Sequence, residues 1–369
     1  MIETPSVDPH SLYNSRLEER RARVAVEQNR HIQIGNARLA LGIAGAVIGW
    51  QAFVNHAWSG WLLLLPLAGL ITLIILHERV VRARRLAERA ATFYERGLAR
   101  LEDRWAGTGE PGERFRSADH VYADDFDLFG KGSLFELLSQ ARTRDGEATL
   151  ANWLMHPASP EVVQERQQAV AELREATDLR EAVFVLGEDA RDAVKTEDLV
   201  KWAETPVQMP LSIRPAAWVL SALSAGAFAI WQLFGLLPVF AVALVAVGGF
   251  GLWLRLRVLQ VISHVDEAVH DLGLLKSLLQ RMEALPVQSP RLRALQQRLA
   301  TDGHSASRQI ARLHRLAELL DSRDNVAMRV IGPPLLYGTH LAFAVEQWRV
   351  QVGPHVRNWL SVLGEFEAL

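Results

Sequence analysis

The sequence predicts a mainly α protein, a helical domain interrupted by two transmembrane helical hairpins, with at most a short β segment near residues 120–129. Three observations predict this. Residues 39–76 and 215–254 contain no Asp, Glu, Lys or Arg. Each run fits two somewhat short spans, because one span needs about 20 apolar residues. The rest of the chain is charged, with apolar residues recurring at helical spacing and prolines and caps punctuating the runs.

The totals agree with that class. A chain of 369 residues, net charge −2 and 49% hydrophobic residues accommodates two domains, or one domain plus membrane segments. Near-neutral charge argues against a protein coated for nucleic acid, although it averages over local patches. The absence of cysteine excludes disulfides, thiolate catalysis and cysteine metal sites.

Residues 1–37 form an amphipathic lead, Arg-rich but also acidic, with Leu12, Leu17, Val24 and Ile32 at loose helical spacing. A signal peptide has a short basic start and then an apolar core, so this long mixed-charge lead is not one. Residues 38–77 are the first hairpin, turning at Asn55–Gly60, where Trp50, Trp58 and Trp61 gather like an interfacial belt. Arg20, Arg21, Arg23, Arg30 and Arg38 precede it, and Arg79, Arg82, Arg84, Arg85 and Arg89 follow. The positive-inside rule places both of its ends in the cytosol. Residues 78–118 are an amphipathic helix, with Leu86, Ala90, Phe93, Leu101 and Trp105 on one side, and a Gly- and Pro-bearing linker.

Residues 119–212 begin with a strand-like lead-in. Ser133 and Glu136 have the spacing of a capping box for a helix carrying Leu134, Phe135, Leu137, Leu138 and Ala141. Arg144-Asp145-Gly146 is expected to break it. A second helix carries Leu150, Ala151, Trp153 and Leu154 and stops ahead of Pro157. Ser159-Pro160 starts a third, with Val163, Val170 and Leu173 as its apolar stripe. The block continues through Leu199, Val200 and Trp202 and breaks at Pro206 and Pro210. Residues 213–255 are the second hairpin, turning near Gly235–Pro238, with Arg214 before and Arg255 and Arg257 after, hence the same orientation. Residues 256–369 return to soluble helical patterning. One long helix runs from Leu259 to near Pro286, another starts at Ser289-Pro290, a third carries Ile310, Leu313, Leu316 and Leu320, and a final helix or pair follows Pro333-Pro334.

The middle block also carries a resemblance. The order Asp127-Leu128-Phe129-Gly130, Gly132-Ser133-Leu134-Phe135, Thr143-x-x-Gly146, Leu150, Trp153-Leu154, Pro157, Arg166-Gln167, Ala169-Val170 and Leu173 resembles the start of the core domain of the MutS mismatch-repair family. The two hairpins make the chain resemble the membrane-anchored, MutS-related branch. A fainter similarity returns at Asp321-Ser322-Arg323-Asn325 and from Leu335 to Leu369, where Glu346, Trp348, Trp359-Leu360, Gly364-Glu365 and Glu367-Ala368-Leu369 resemble the helix leading into the family's ATPase. The resemblance implies a helical lever that passes ATP-driven movement between an ATPase and DNA clamps. It further implies double-stranded DNA as a partner, a homodimer formed through the ATPase domain, and ATP and Mg bound there. The family's ATP site lies beyond the segment matched by Leu369, so these residues are expected to hold no ATPase and no cofactor and to be no enzyme.

Within the chain, Gly130-Lys131-Gly132-Ser133 looks like a P-loop fragment. The full motif needs glycine five residues earlier and Ser or Thr straight after the lysine; Asp125 and Gly132 stand there. Phe93-Tyr94-Glu95 matches the Phe-x-Glu wedge of mismatch readers but lacks its glycine-rich lead. Asp119, His120, Asp124, Asp125 and Asp127 read as a solvated acidic loop, the alternative being a hard-cation site. His264, Glu267, His270 and Asp271 lack the i, i+4 histidine pair of a zinc helix. Arg142, Arg144, Arg166 and Arg174 are the candidate phosphate or DNA contacts, each equally a surface charge; no basic stripe with interleaved aromatics accompanies them. The expectation is the membrane-anchored lever portion of a MutS-related protein in the plasma or inner membrane. The alternative is a multi-pass scaffold or sensor that binds a protein partner and not DNA. A transporter is disfavoured because the spans hold no ionisable residue except His56, at a turn.

Overall fold

A computed structural model describes residues 8–369 apart from 118, 194, 302 and 323–325, and leaves the side chains of 190–193, 326 and 327 undescribed. Arg323 and Asn325 of the fainter resemblance lie outside the described residues. The chain is helical nearly throughout and divides into two compact units. The first comprises Met1–Arg116 and Asp124–Leu138; the second comprises Ser117–Ala123 and Ser139–Leu369.

The first unit is dominated by two long antiparallel helices, α1 (Pro9–Phe53) and α2 (Leu64–Leu101). Asp8 starts α1 by accepting the amides of His10 and Ser11, with Pro9 at the first helical position, where its missing N–H costs nothing. At 1.5 Å per residue α1 is about 68 Å long, so the polar lead and the first apolar run are one continuous helix. The same holds for the second apolar run and the amphipathic stretch after it. Beyond the apolar part the two helices pack as a stalk. Tyr13 lies against Phe93 and Tyr94, at ring-centroid distances of 6.2 and 5.5 Å. Gly97 makes room at that crossing, where a Cβ would stand 3.1 Å from the Tyr13 ring. Arg21 pairs with Glu95 at 2.8 Å. Phe93 and Tyr94 are buried, so they are packing residues of the stalk and no wedge. Leu101, expected on the packed side, is exposed, and Trp105 lies past the helix end.

The first unit also holds the loop 124–133 and the five-residue helix α3 (Leu134–Leu138). Residues 121–127 form successive turns rather than a strand. Phe135 is buried against Phe115 and Phe129, at 5.6 and 5.7 Å, whereas Leu134 and Leu138 are exposed.

The second unit contains α4 (Arg144–Met155), α5 (Pro160–Glu175), α6 (Thr177–Ala193), α7 (Thr196–Glu204), α8 (Arg214–Phe234), α9 (Leu237–Ile262), α10 (Val265–Ala284), α11 (Pro290–Leu299), α12 (Ala306–Asp321), α13 (Val326–Ile331) and α14 (Tyr337–Ala368). Two residues each at Ala300–Thr301 and His304–Ser305 pair antiparallel. Arg144-Asp145-Gly146 is the first turn of α4 and breaks nothing. Thr143 caps it by accepting the Gly146 amide at 3.1 Å, and the break falls at 139–143. On α5 the buried residues are Ala169 and Leu173, while Val163 and Val170 face solvent. The expected long helix from Leu259 is two, α9 and α10, parted at Ser263-His264. The final stretch is one helix, continuous through Pro354.

Residues on both sides of the second hairpin share one core. Leu173, Leu199, Val200 and Met209 belong to the same buried cluster as Leu272, Leu313, Trp348 and Trp359. Two helix starts in this unit are capped by neighbouring helices. Glu172 of α5 accepts the amides of Gln288 and Ser289 ahead of α11, both at 2.7 Å. Glu283 of α10 accepts the Ser307 amide in the first turn of α12 at 3.0 Å.

Four helices are long and apolar enough to cross a membrane, lying within Pro9–Phe53, Gly60–Leu101, Leu211–Phe234 and Leu237–Ala284. The second pair turns at Gly235, which adopts the left-handed conformation that closes α8. Beside that turn, Trp231 stacks on Phe240 at 5.4 Å.

Candidate functional site

The P-loop-like stretch forms a glycine loop in the first unit. Gly130 and Gly132 have φ of 116° and 76°, the left-handed backbone that lets successive amides converge on an anion. The anion is already there. Glu136 reaches back and accepts the amides of Gly132 at 2.7 Å and Gly109 at 2.9 Å, while its own amide is taken by Ser133 Oγ at 3.2 Å. One arm of the expected capping box is thus present, and the other is redirected one residue upstream. Burial pushes the Glu136 carboxyl up, but the amides of Gly132, Gly109 and Gly107, with Lys131, outweigh it and hold it below its ordinary range. The amides of Gly132 and Gly109 are thus already taken by this carboxylate.

The four candidate arginines are not brought together. Arg142 is buried, its guanidinium 3.7 Å from the Phe184 ring centre and 3.3 Å from Glu188. It is an interior residue, withdrawn from any phosphate. Arg166 lies over the Trp153 ring at 3.8 Å, a cation–π pair between α5 and α4. Arg144 is exposed in the first turn of α4. Arg174 is exposed at the end of α5 beside Glu175, at 3.3 Å. Among the described residues no group of histidines and carboxylates has the geometry to hold a metal ion. His120 instead bonds the Met155 carbonyl at 2.9 Å, Asp124 pairs with Arg116 at 2.9 Å, and Glu267 pairs with Lys195 at 3.3 Å.

What the second unit does build is a set of joints along α14. Near its start, Ser221 of α8 donates to the Leu335 carbonyl at 2.9 Å and lies 2.9 Å from His340 Nε2. The hydroxyl's one proton is then used, so Nε2–H of His340 donates to Ser221. Burial and then Arg214 hold the His340 imidazole below its ordinary pKa, which favours this neutral form. Trp218 lies on the same imidazole at 4.2 Å, and Arg214 donates to Gln347 at 2.5 Å.

One turn on, Glu346 and Arg349 are both buried and 2.8 Å apart. Glu346 also accepts the amides of Gln208 and Met209, at 2.6 and 3.3 Å. Arg349 donates to the carbonyls of Thr205 and Pro206, at 2.5 and 3.1 Å. This pair therefore fastens the link between α7 and the second hairpin to α14. Gly353 comes next, where a Cβ would stand 2.2 Å from the Ala203 carbonyl oxygen; only glycine lets α7 approach so closely. Arg357 holds Glu204 through two bonds of 2.8 Å.

The far end of α14 meets α4. Gly364 leaves room for Asp145, which a Cβ would approach to 2.8 Å. Glu367 accepts the Thr143 amide at 3.1 Å and the Thr143 hydroxyl. Its carboxyl is enclosed, although the residue as a whole is half-buried. Burial pushes it up to about 7, against the Thr143 hydroxyl and the amides of Thr143 and Arg142, with Glu147 adding to the rise. Arg291 and Arg298 of α11 pair with Glu365. One rod of 32 residues, about 48 Å long, thus touches the base of the second hairpin at one end and α4 at the other.

Sequence reasoning named Glu346, Gly364 and Glu367 only through resemblance, Trp348 also as an apolar position of the final helix, and missed Arg349. The signal was present: opposite charges at i, i+3 inside the apolar stripe of Leu341, Val345, Trp348 and Val352.

The family model for MutS domain III matches residues 119–330. No curated protein and no solved structure matches the chain. The match takes in α3 to α12 and spans the second hairpin; it ends before α14. Covering more than half of the chain, it shows that this protein belongs to the MutS family, through that family's domain III.

Proposed function

We propose that the chain is the membrane-anchored lever of a MutS-related protein, in which domain III passes movement between an ATPase and DNA or a partner. The observation that carries this is α14, joined to the hairpin base by Ser221, Arg214 and the Glu346–Arg349 pair and to α4 by Glu367. Anchoring is supported by the exposed apolar faces of the hairpins, such as Trp61 at 79% and Val245 at 76%. Each large apolar side chain left in water forgoes about 1.5–3 kcal/mol, so an apolar medium is the natural covering. The arginines flanking each run orient both turns away from the cytosol. Since the native chain has no cysteine, single cysteines report sidedness cleanly. Ser59→Cys and Leu236→Cys, at the two turns, are expected to label only from outside. Ser15→Cys and His304→Cys are expected to label only from inside. Turn and non-turn positions labelling from one face would overturn the anchoring.

A second reading is a membrane scaffold or sensor that binds a protein partner and no DNA. It is favoured by the engagement of Arg142 and Arg166 inside the second unit. Duplex-DNA binding at two salt concentrations separates the two. Phosphate contacts make affinity fall steeply with salt, and a chain showing no such salt-dependent binding is the scaffold.

A further inference from the structure

The second hairpin carries a cavity that the lever leaves unused. It measures 580 Å³ and opens between the charged end of α9 and the turn joining α13 to α14. Arg255 and Arg329 line it, and among the described residues no acidic side chain does. Some exposed arginines of this unit are paired, as Arg357 is with Glu204 and Arg298 with Glu365. Among the described residues neither Arg255 nor Arg329 has an ion-pair or hydrogen-bond partner. Gly338 and Thr339 also line the cavity. They are the second and third residues of α14, so their amides have no acceptor within the helix. The site is built for an anion.

Its walls say which anion. From Arg255 the cavity runs along α9 past Leu252 and Gly248 to Val247. Leu252 is 69% exposed, and a Cβ on Gly248 would meet nothing within 4 Å, so a slot lies open on an apolar helix face. Across the cavity, the segment carrying Arg329 shows Val330 and Ile331 at 72% and 54% exposure, although it belongs to neither hairpin. An inorganic phosphate gains nothing from such walls; an amphiphile with a charged head gains from both. We propose that this cavity binds an anionic phospholipid, with its phosphate between Arg255 and Arg329 and an acyl chain along Gly248 and Leu252. The proposal rests on the membrane-anchoring reading. An occupied site ties α9 to the first turn of α14, so lipid composition would set how firmly the lever is held at its base.

The test uses the full chain, extracted in detergent and titrated with phosphatidylglycerol, phosphatidylcholine or inorganic phosphate, with retained lipid read by native mass spectrometry. Phosphatidylglycerol is expected to be retained at least tenfold better than phosphatidylcholine, since each arginine at a membrane surface is worth roughly fivefold in affinity for anionic lipid. The double variant Arg255→Gln/Arg329→Gln is expected to lose that preference. Gly248→Leu, which puts a side chain into the slot and changes no charge, is expected to weaken retention severalfold. Arg257→Gln removes a charge outside the cavity and is expected to leave retention unchanged. Equal retention of the two lipids, a preference that survives the double variant, or displacement of the lipid by millimolar phosphate would each overturn the proposal. Failure of anchoring itself reads differently: the chain would leave the membrane fraction on an alkaline wash.

Discussion

Glu346 and Arg349 stand one turn apart on α14, buried to 0% and 4% exposure, and hold the 205–209 segment through backbone amides and carbonyls on both sides. A buried ion pair is no guarantee of stability, because desolvating two charges offsets most of their attraction. Breaking it is another matter. Arg349→Met leaves a buried carboxylate and two unanswered carbonyls, and removing one partner of such a pair costs about 3–5 kcal/mol. Glu346→Gln keeps an acceptor for the Gln208 amide and is expected to cost less. Chemical denaturation of the two variants checks the order; equal and small losses would mean the pair does not fasten the hairpin link.

Glu367 makes the α4–α14 joint sensitive to pH. Between its ordinary value of 4.5 and about 7, the folded chain keeps a proton that the unfolded chain releases. Stability from this group therefore falls as pH rises from about 4.5 to about 7, and stays lost above that. The loss is on the order of 3 kcal/mol. Glu367→Gln still accepts from Thr143 and carries no charge. It is expected to be more stable than the parent at pH 8, with a flatter profile between pH 5 and 8. A parent that gains stability over that range would contradict the geometry.

The glycine loop is filled by Glu136, so the chain is expected neither to hydrolyse ATP nor to gain thermal stability from Mg-ATP. A ligand that binds only the folded form must raise its stability by mass action, so an upward shift saturating with ATP would reveal a nucleotide site. Glu136→Ala is expected to destabilise by about 1–3 kcal/mol, leaving the Gly132 and Gly109 amides unmet. Because the folded carboxyl is held low, its contribution is present above the ordinary carboxylate range. It is lost as pH falls through the folded value, the opposite sign to Glu367.

Much of the helical fold was legible in the residues. Two charge-free runs, proline boundaries and Ser-Pro starts gave the starts of α5, α8, α11 and α14 and the turn between α8 and α9, because each follows from local sterics or from span length; the helix expected from Leu259 instead begins inside α9, which runs to Ile262. Errors fell where distant packing decides. Gly146 reads as a breaker, yet it is glycine because Glu367 would stand 2.4 Å from a Cβ there. Arg142 reads as a surface charge, yet Phe184, far along the chain, covers it. Ser133 and Glu136 read as a closed capping box, yet a loop more than twenty residues upstream claims the carboxylate. No local pattern announces a partner that far away.

The central claim is that the portions flanking the second hairpin form one lever. Hydrogen exchange or limited proteolysis of Leu199→Ala tests it most directly. Leu199 of α7 is buried, at 2% exposure, in the cluster that also holds Leu272, Leu313 and Trp348. Truncating such a side chain typically costs about 2–5 kcal/mol. The account requires α10, α12 and α14 to lose protection together with α4–α7, while the hairpin α8–α9 stays inserted. If only residues 139–212 loosen and 265–369 remain as protected as in the parent, the two portions are separate domains and no lever joins them.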